Sequence, residues 1–235
     1  MSFVRLALLC LVPLVVFGQA STGTPGDIEH FEGAVFVKDV ALTADAEEPA
    51  MGRQGTLRTE AGKAEVLFAL GSLMRVDVES ELELVSAGFS SATYRLHKGA
   101  VIIQAFNAWD GDSLHVEVGD AVVTITSAGE SRIEFDGAAG QLLVRSGGAS
   151  VALAGEEYRV KKKQSARIAS DGVTTSKVKG FPEDALTAWH EQRVKDVLAA
   201  TPKDQRRKKS KRGYDYDGSK PFGAGELPDR AASGL

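Results

Sequence analysis

Acidic side chains are the first candidates for chemistry in this sequence. Glu79, Glu81 and Glu83 alternate along one predicted strand, and paired carboxylates are the groups that glycosidases use. These three are expected on one exposed face, with no aromatic platform for a sugar nearby. We interpret them as solubilising charges and predict no catalytic residue among them.

A second polar group lies around Trp109. Asn107, Asp110 and Asp112 offer oxygen atoms of the kind that calcium prefers. The remaining carboxylates of a calcium loop are missing, and Asp-Gly is an ordinary turn sequence, so we predict a turn here. Trp109 beside that turn is a candidate contact for a ligand or glycan, although we favour its folding back over the end of a sheet.

The four histidines do not form a recognisable metal site. His30, His97, His115 and His190 show no zinc-ligand spacing. His115 and Glu117 lie two residues apart, but the second histidine of a cupin-type site is missing. A nucleophile elbow and a phosphate-binding glycine loop are missing too. We therefore predict a protein that is not an enzyme and has no metal or cofactor.

The N-terminus has the pattern of an export signal. Arg5 precedes an apolar run from Leu6 to Phe17, and small residues occupy Gly18 and Ala20, the positions that signal peptidase reads. We predict cleavage after Ala20 and a periplasmic or otherwise extracytoplasmic protein without a transmembrane span; an uncleaved anchor is the alternative. The only cysteine, Cys10, lies inside this signal, so no disulfide is expected in the mature chain.

The middle of the chain has the pattern of short β-strands. From Ala64 to Val78 apolar residues alternate around Gly71-Ser72, which predicts a hairpin. Further alternating segments follow about every ten residues, separated by dipeptides in which glycine favours a chain reversal. Those reversals are predicted at Asp110-Gly111, Ala128-Gly129, Asp136-Gly137, Gly147-Gly148, Ala154-Gly155 and Asp171-Gly172.

This pattern predicts an all-β fold. An antiparallel β-sandwich, a jelly roll and a short β-solenoid all fit, because no exact repeat is visible. We divide the chain into a signal peptide (1–20), an N-terminal strand with a surface connection (21–54), a β domain (55–172), a C-terminal helix (181–200) and a disordered basic tail (202–235).

The predicted helix follows Pro182 and bears a stripe at helical spacing. We expect this stripe to dock on the β domain. Its members are Leu186, Trp189, Arg193, Val194, Val197 and Leu198.

The tail contains a dense cationic run, a candidate contact for an anionic envelope surface. The run consists of Arg206, Arg207, Lys208, Lys209, Lys211 and Arg212. The whole chain nevertheless has a formal net charge of −4. We therefore expect no nucleic-acid binding.

Several short motifs in the predicted β domain resemble the FecR domain, an extracytoplasmic β module. They are Leu57-Arg58-Thr59, Gly62-Lys63-Ala64-Glu65-Val66, Gly71-Ser72-Leu73-Met74-Arg75-Val76, Ser80-x-Leu82-x-Leu84 and Leu96-x-x-Gly99-Ala100-Val101. The similarity covers about residues 50–170. It implies a periplasmic sensing or scaffolding module that binds envelope components without catalysis. The chain lacks the cytoplasmic segment of sigma-factor regulators ahead of its apolar stretch, so we do not extend that activity to it.

Three functions remain open from the sequence. The first is an exported interaction, sensing or scaffolding module whose partner is an unidentified envelope protein. The second is an envelope structural protein that its basic tail attaches to anionic lipid or polymer. The third is a carbohydrate-binding protein or a hydrolase, which would need two convergent carboxylates in a cleft.

Overall fold

The computed structural model of the chain describes residues 23–200, apart from residues 48, 70–71, 89–90 and 107–112. This part contains fourteen strands and one helix. The strands are β1 (Ile28–Glu32), β2 (Val35–Val37), β3 (Val40–Ala41), β4 (Thr56–Thr59), β5 (Lys63–Ala69), β6 (Ser72–Val76), β7 (Glu81–Ala87), β8 (Ser91–Ala105), β9 (Ser113–Val118), β10 (Ala121–Phe135), β11 (Gly140–Leu153), β12 (Glu156–Lys161), β13 (Gln164–Ala169) and β14 (Gly172–Lys177). The helix α1 spans Ala185–Ala200. The predicted all-β fold with one C-terminal helix is confirmed.

The strands form one continuous sheet that folds into two layers. The first layer has the order β3-β2-β4-β7-β8-β9-β10-β11-β12 and uses the first halves of β8 and β10 and the second half of β11. The second layer has the order β1-β5-β6-β8-β10-β11-β13-β14 and uses the other halves of those long strands. All pairs are antiparallel except β8 with β9. Among the three architectures left open, this arrangement is that of a sandwich.

Two of the predicted chain reversals are wrong. Ala128-Gly129 lies inside the continuous strand β10, and Gly147-Gly148 lies inside β11. Gly129 has a φ of 155° and Gly147 a φ of 77°, and a Cβ on Gly129 would lie 2.2 Å from the carbonyl oxygen of Ser146. Glycine here bends two paired strands from one layer into the other instead of reversing the chain.

Other predicted turns agree with the structure. Asp136-Gly137 joins β10 to β11, and Ala154-Gly155 joins β11 to β12. The predicted hairpin is also present, with Ala64 opposite Val76 and Val66 opposite Met74. The Asp110-Gly111 turn lies outside the described residues.

A single apolar core fills the space between the layers. Inward side chains of both layers, such as Val66, Ile103 and Val116, are completely buried in it. The ring of Phe68 on β5 contacts that of Tyr94 on β8 at a centroid distance of 5.2 Å. The hydroxyl of Tyr94 also donates a 2.9 Å hydrogen bond to the carbonyl of Leu67, which joins the two layers.

The helix α1 packs on the outer face of the second layer. A smaller apolar contact lies beneath it, where Leu186 of the helix and Leu73, Ile102 and Leu143 of the sheet are all 5% exposed or less. Among the described residues, no helix has the length and apolar character needed to span a membrane.

Candidate functional site

Ionisable side chains of the structure concentrate between α1 and the second layer. We call six of them the charged cluster. They are Glu65, Arg75, Glu130 and Arg145 from strands β5, β6, β10 and β11, and His190 and Arg193 from α1. The strand residues lie on the outer face because their neighbours in sequence, such as Ala64, Met74 and Val144, point into the core.

The centre of the charged cluster is a fully buried ion pair. Arg75 Nη2 lies 2.7 Å from Glu65 Oε2, and the two side chains are 0% and 2% exposed. Arg193 Nη2 of α1 donates a 3.0 Å hydrogen bond to the other carboxylate oxygen, Glu65 Oε1. Glu65 therefore holds one arginine of the sheet and one of the helix.

His190 connects the helix to two strands. Its Nδ1 lies 2.9 Å from Arg75 Nη1, and its Nε2 lies 3.3 Å from Glu130 Oε1. An arginine only donates hydrogen bonds, so Nδ1 must accept and carries no proton. The Nε2–H then donates to Glu130, which gives a neutral ring with a defined tautomer.

The protonation states in the charged cluster follow from burial and charge. Burial lowers the pKa of Arg75, although the adjacent Glu65 opposes this change. Burial also lowers the pKa of His190, and the hydrogen bond to Glu130 only partly offsets it. Burial would raise the pKa of Glu130, but the hydrogen bond from His190 and the charge of Arg145 hold it below the ordinary value.

A second ionic contact caps the beginning of α1. The Asp184 carboxylate accepts a 2.9 Å hydrogen bond from the backbone N–H of Thr187, so Asp184 is the N-cap residue. Arg132 on β10 contacts both oxygens of that carboxylate, at 2.9 and 2.7 Å. This bidentate contact fixes the cap against the sheet. The helix thus begins at Ala185, three residues after Pro182, so the predicted start at residue 181 is too early.

Aromatic side chains complete the contact at both sides of the helix. Trp189 Nε1 donates a 2.8 Å hydrogen bond to Glu32 of β1, and its ring stacks on His30. On the other side, the guanidinium of Arg145 lies 4.5 Å from the ring centroid of Phe181. The predicted docking of α1 is therefore confirmed, but its contact is much more polar than the predicted stripe.

The charged cluster can hold two elements together, because its carboxylate oxygens pair with arginine or histidine nitrogen atoms of both the sheet and the helix. Among the described residues, no three His, Cys, Asp or Glu side chains lie close enough to bind one metal ion. The arrangement is typical of a structural ion network.

The structure also contains an open depression of about 540 Å³ near the β10–β11 turn. Its charged lining residues are Arg132, Glu134, Asp136 and Arg167. Arg132 is committed to Asp184 and Glu134. The depression therefore shares a wall with the helix cap.

The structure places some sequence candidates on the surface of the first layer. Glu83 accepts one hydrogen bond from Arg95 and contacts His97, and Glu117 pairs with Arg95. His115 hydrogen-bonds Thr124 across the strands, at 2.9 Å. These residues form ordinary cross-strand pairs.

Other sequence candidates lie outside the described residues. These are Trp109, the candidate calcium ligands Asn107, Asp110 and Asp112, the cleavage positions Gly18 and Ala20, and the cationic run (Arg206, Arg207, Lys208, Lys209, Lys211 and Arg212).

Sequence reasoning missed the charged cluster. It treated the polar face of each strand as solvated, whereas α1 covers part of that face. One signal was available: the hairpin register places Glu65 directly opposite Arg75. Opposite charges at such a cross-strand position indicate an ion pair, but its burial depends on a helix that follows more than 100 residues later.

Comparisons with known proteins identify no family. No family model matches the chain, and no curated protein is significantly similar. Two solved structures, each described as a "putative anti-sigma factor" from Parabacteroides distasonis ATCC 8503, are similar to it. One is 12% identical with a TM-score of 0.47 and covers 63% of this chain and 74% of its own. The other is 11% identical with a TM-score of 0.48 and covers 68% of this chain and 82% of its own. At these values the similarity carries no argument about function.

Proposed function

We propose that this chain is a non-catalytic, FecR-like β domain that works outside the cytoplasm as a protein-interaction, sensing or scaffolding module. Its partner would be a protein of the cell envelope. Control of a sigma factor is not part of the proposal. The observation that carries it is that the most buried ionisable side chains are used in packing α1 on the sheet.

The ionic contacts of α1 support this proposal because a catalytic group must be able to reach a substrate. Arg75 is 0% exposed and Glu65 is 2% exposed, and both contact side chains of the same domain. His190, the histidine of the charged cluster, is 1% exposed and has both ring nitrogens occupied by hydrogen bonds within the domain. The exposed surface is then left for binding.

Photo-crosslinking in intact cells tests the proposal. A photoreactive residue would replace Thr174 on β14 or His97 on β8, exposed positions on the two layers. We expect a discrete product with an envelope protein from at least one position. The same product should persist when residues 201–235 are deleted.

Two outcomes would contradict the proposal. Association that requires residues 201–235 and disappears at high salt would favour attachment of a structural protein through the cationic run. A chain that forms no product from either position while it converts a glycan or peptide substrate would favour the enzyme alternative. Mass spectrometry of the isolated chain would show in the same experiment whether it begins at Ser21.

A further inference from the structure

We propose that α1 is a pH-controlled cover of the second layer: neutral His190 holds the helix on the sheet, and protonation of His190 releases it. This inference does not depend on the proposed function. It depends on the geometry around the His190 ring. Among the described residues, His190 is the only side chain whose hydrogen bonds link α1 to both β6 and β10.

The docked geometry favours one form of the His190 ring. Arg75 Nη1 donates to His190 Nδ1 at 2.9 Å. A proton on Nδ1 would point at this donor, so the hydrogen bond would be lost and two positive groups would face each other. The position of the ring leaves it little freedom to turn away, since His190 is 1% exposed.

Charged and polar side chains surround the His190 ring on every side. Arg75 faces it from β6, Glu130 from β10 and Arg145 from β11, and Gln104 of β8 is a neutral neighbour of Arg75. From the preceding segment, Phe181 places its ring edge-on at 6.5 Å. On α1 itself, Glu191 pairs with Arg145 and Arg193 with Glu65.

The balance of these charges favours the neutral ring while the helix is docked. Glu130 attracts a proton on His190, but it already pairs with Arg145 at 2.9 Å. Arg75 and Arg145 repel that proton, and burial removes the water that would stabilise it. The pKa of His190 is accordingly below its ordinary value, with burial as the largest cause.

Protonation of His190 must then weaken the docking of α1 on the sheet. A released helix exposes His190 to water, so the released state binds the proton more readily than the docked state does. As pH falls below about 6.5, the ordinary histidine value, docking becomes weaker by up to about tenfold per pH unit, and the effect ends once the docked ring also titrates. Above that pH the full docking strength is present.

The consequence of release is a change of surface and not of the β fold. Leu73, Ile102 and Leu143 would lose their cover, while the core between the layers uses other side chains. Residues 194–199 of α1 are half-buried or exposed, so the contacts of its first half decide whether the helix stays docked.

Hydrogen exchange measured by mass spectrometry tests the proposal in the full chain without any label. Amide protection of residues 186–199, corrected for the intrinsic effect of pH, would be followed between about pH 7.5 and pH 5. At pH values below about 6.5, we expect the protection of α1 to decrease by up to about tenfold per pH unit. Residues 91–105 of β8 should keep their protection. Unchanged protection of α1, or equal loss in β8, would overturn the proposal.

Two variants identify the responsible side chain. In His190→Gln, the amide can accept from Arg75 and donate to Glu130 without titrating, so protection of α1 should no longer depend on pH in this range. His30→Gln is the matched control, because His30 also contacts α1 through Trp189; it should keep the pH dependence of the wild-type chain. The opposite behaviour of the two variants would overturn the proposal.

A spectroscopic measurement covers the case in which His190→Gln does not fold. Nitrogen-15 NMR of labelled histidine in the wild-type chain reports the protonation of each ring nitrogen. At about pH 7.5 we expect His190 to carry a proton on Nε2 and none on Nδ1. A doubly protonated His190 at this pH, in a chain whose α1 is protected from exchange, would contradict the proposal directly.

Discussion

At the scale of single residues, Arg75 is the side chain on which the charged cluster depends. It is fully buried and contacts Glu65, Gln104 and His190 at 2.7 to 2.9 Å. Removal of one partner from a buried ion pair leaves the other charge without compensation, which is far more costly than loss of an exposed pair.

We therefore expect Arg75→Met to reduce the free energy of unfolding by about 3 to 5 kcal/mol. Arg95→Met is the matched control, since Arg95 pairs with two carboxylates on the half-exposed face of the first layer; its effect should stay within about 1 kcal/mol. Urea unfolding of both variants measures the difference. Similar values for the two variants would show that the buried pair has no special role.

Asp184 gives a prediction that separates capping from charge. Asp184→Ala removes the N-cap acceptor and the partner of Arg132, so we expect a loss of about 1 to 2 kcal/mol. Asp184→Asn keeps a capping oxygen and should lose less. Thermal unfolding compares the two; an asparagine variant as unstable as the alanine variant would assign the whole effect to the charge of Asp184.

The same side chain has a pH dependence of defined sign. Burial would raise the pKa of Asp184, but Arg132 and the Thr187 backbone N–H hold it below its ordinary value of 3.8. The docked carboxylate is thus stabilised in its charged form. The contribution of Asp184 to the free energy of unfolding is complete above the ordinary pKa of 3.8. It is lost as pH falls through the lower pKa of Asp184 in the folded state.

At the scale of elements, the bends of the long strands decide the architecture. Gly129→Ala would place a Cβ 2.2 Å from the carbonyl oxygen of Ser146, at a φ of 155°. We expect a loss of stability of at least about 1 to 3 kcal/mol, the usual cost of a strained backbone. Gly180→Ala is the control, because nothing lies within 4 Å of the added methyl group. Urea midpoints of the two variants should differ clearly, and equal midpoints would contradict this account of the bend.

The elements also show how far the sequence could predict the fold. The alternation of apolar and polar residues predicted the β5–β6 hairpin and the turns at Asp136 and Ala154. These features are local, because residues close together in the sequence determine them. Alternation could not show that β10 and β11 continue through their glycines, since a glycine with positive φ serves a bend as well as a turn. The strand β14 has too few apolar residues for alternation to predict it. Its extended structure depends on pairing with β13.

The candidate site was less predictable for a related reason. His190 was visible as a lone histidine, but its two partners, Arg75 and Glu130, lie 115 and 60 residues away. Pairing of strands and docking of the helix bring them together. A polar strand face gives the same sequence pattern whether water or a helix covers it.

At the scale of the whole molecule, the long strands couple the two layers. β8, β10 and β11 each run through both layers and contribute to the one core. We therefore expect a single cooperative urea transition for the sheet, with far-UV circular dichroism and hydrogen exchange of β5 and β9 giving the same midpoint. Separate midpoints for the two layers would contradict this coupling.

We expect the buried charges of the second layer to hold α1 in place. Glu65 and Arg193 join sheet and helix at 3.0 Å, so a double-mutant cycle on this pair measures that contribution. Glu65→Gln, Arg193→Met and the combined variant would be compared by urea unfolding. We expect a coupling free energy of about 0.5 to 3 kcal/mol between the two sites. Strictly additive effects, with a coupling below about 0.3 kcal/mol, would contradict it.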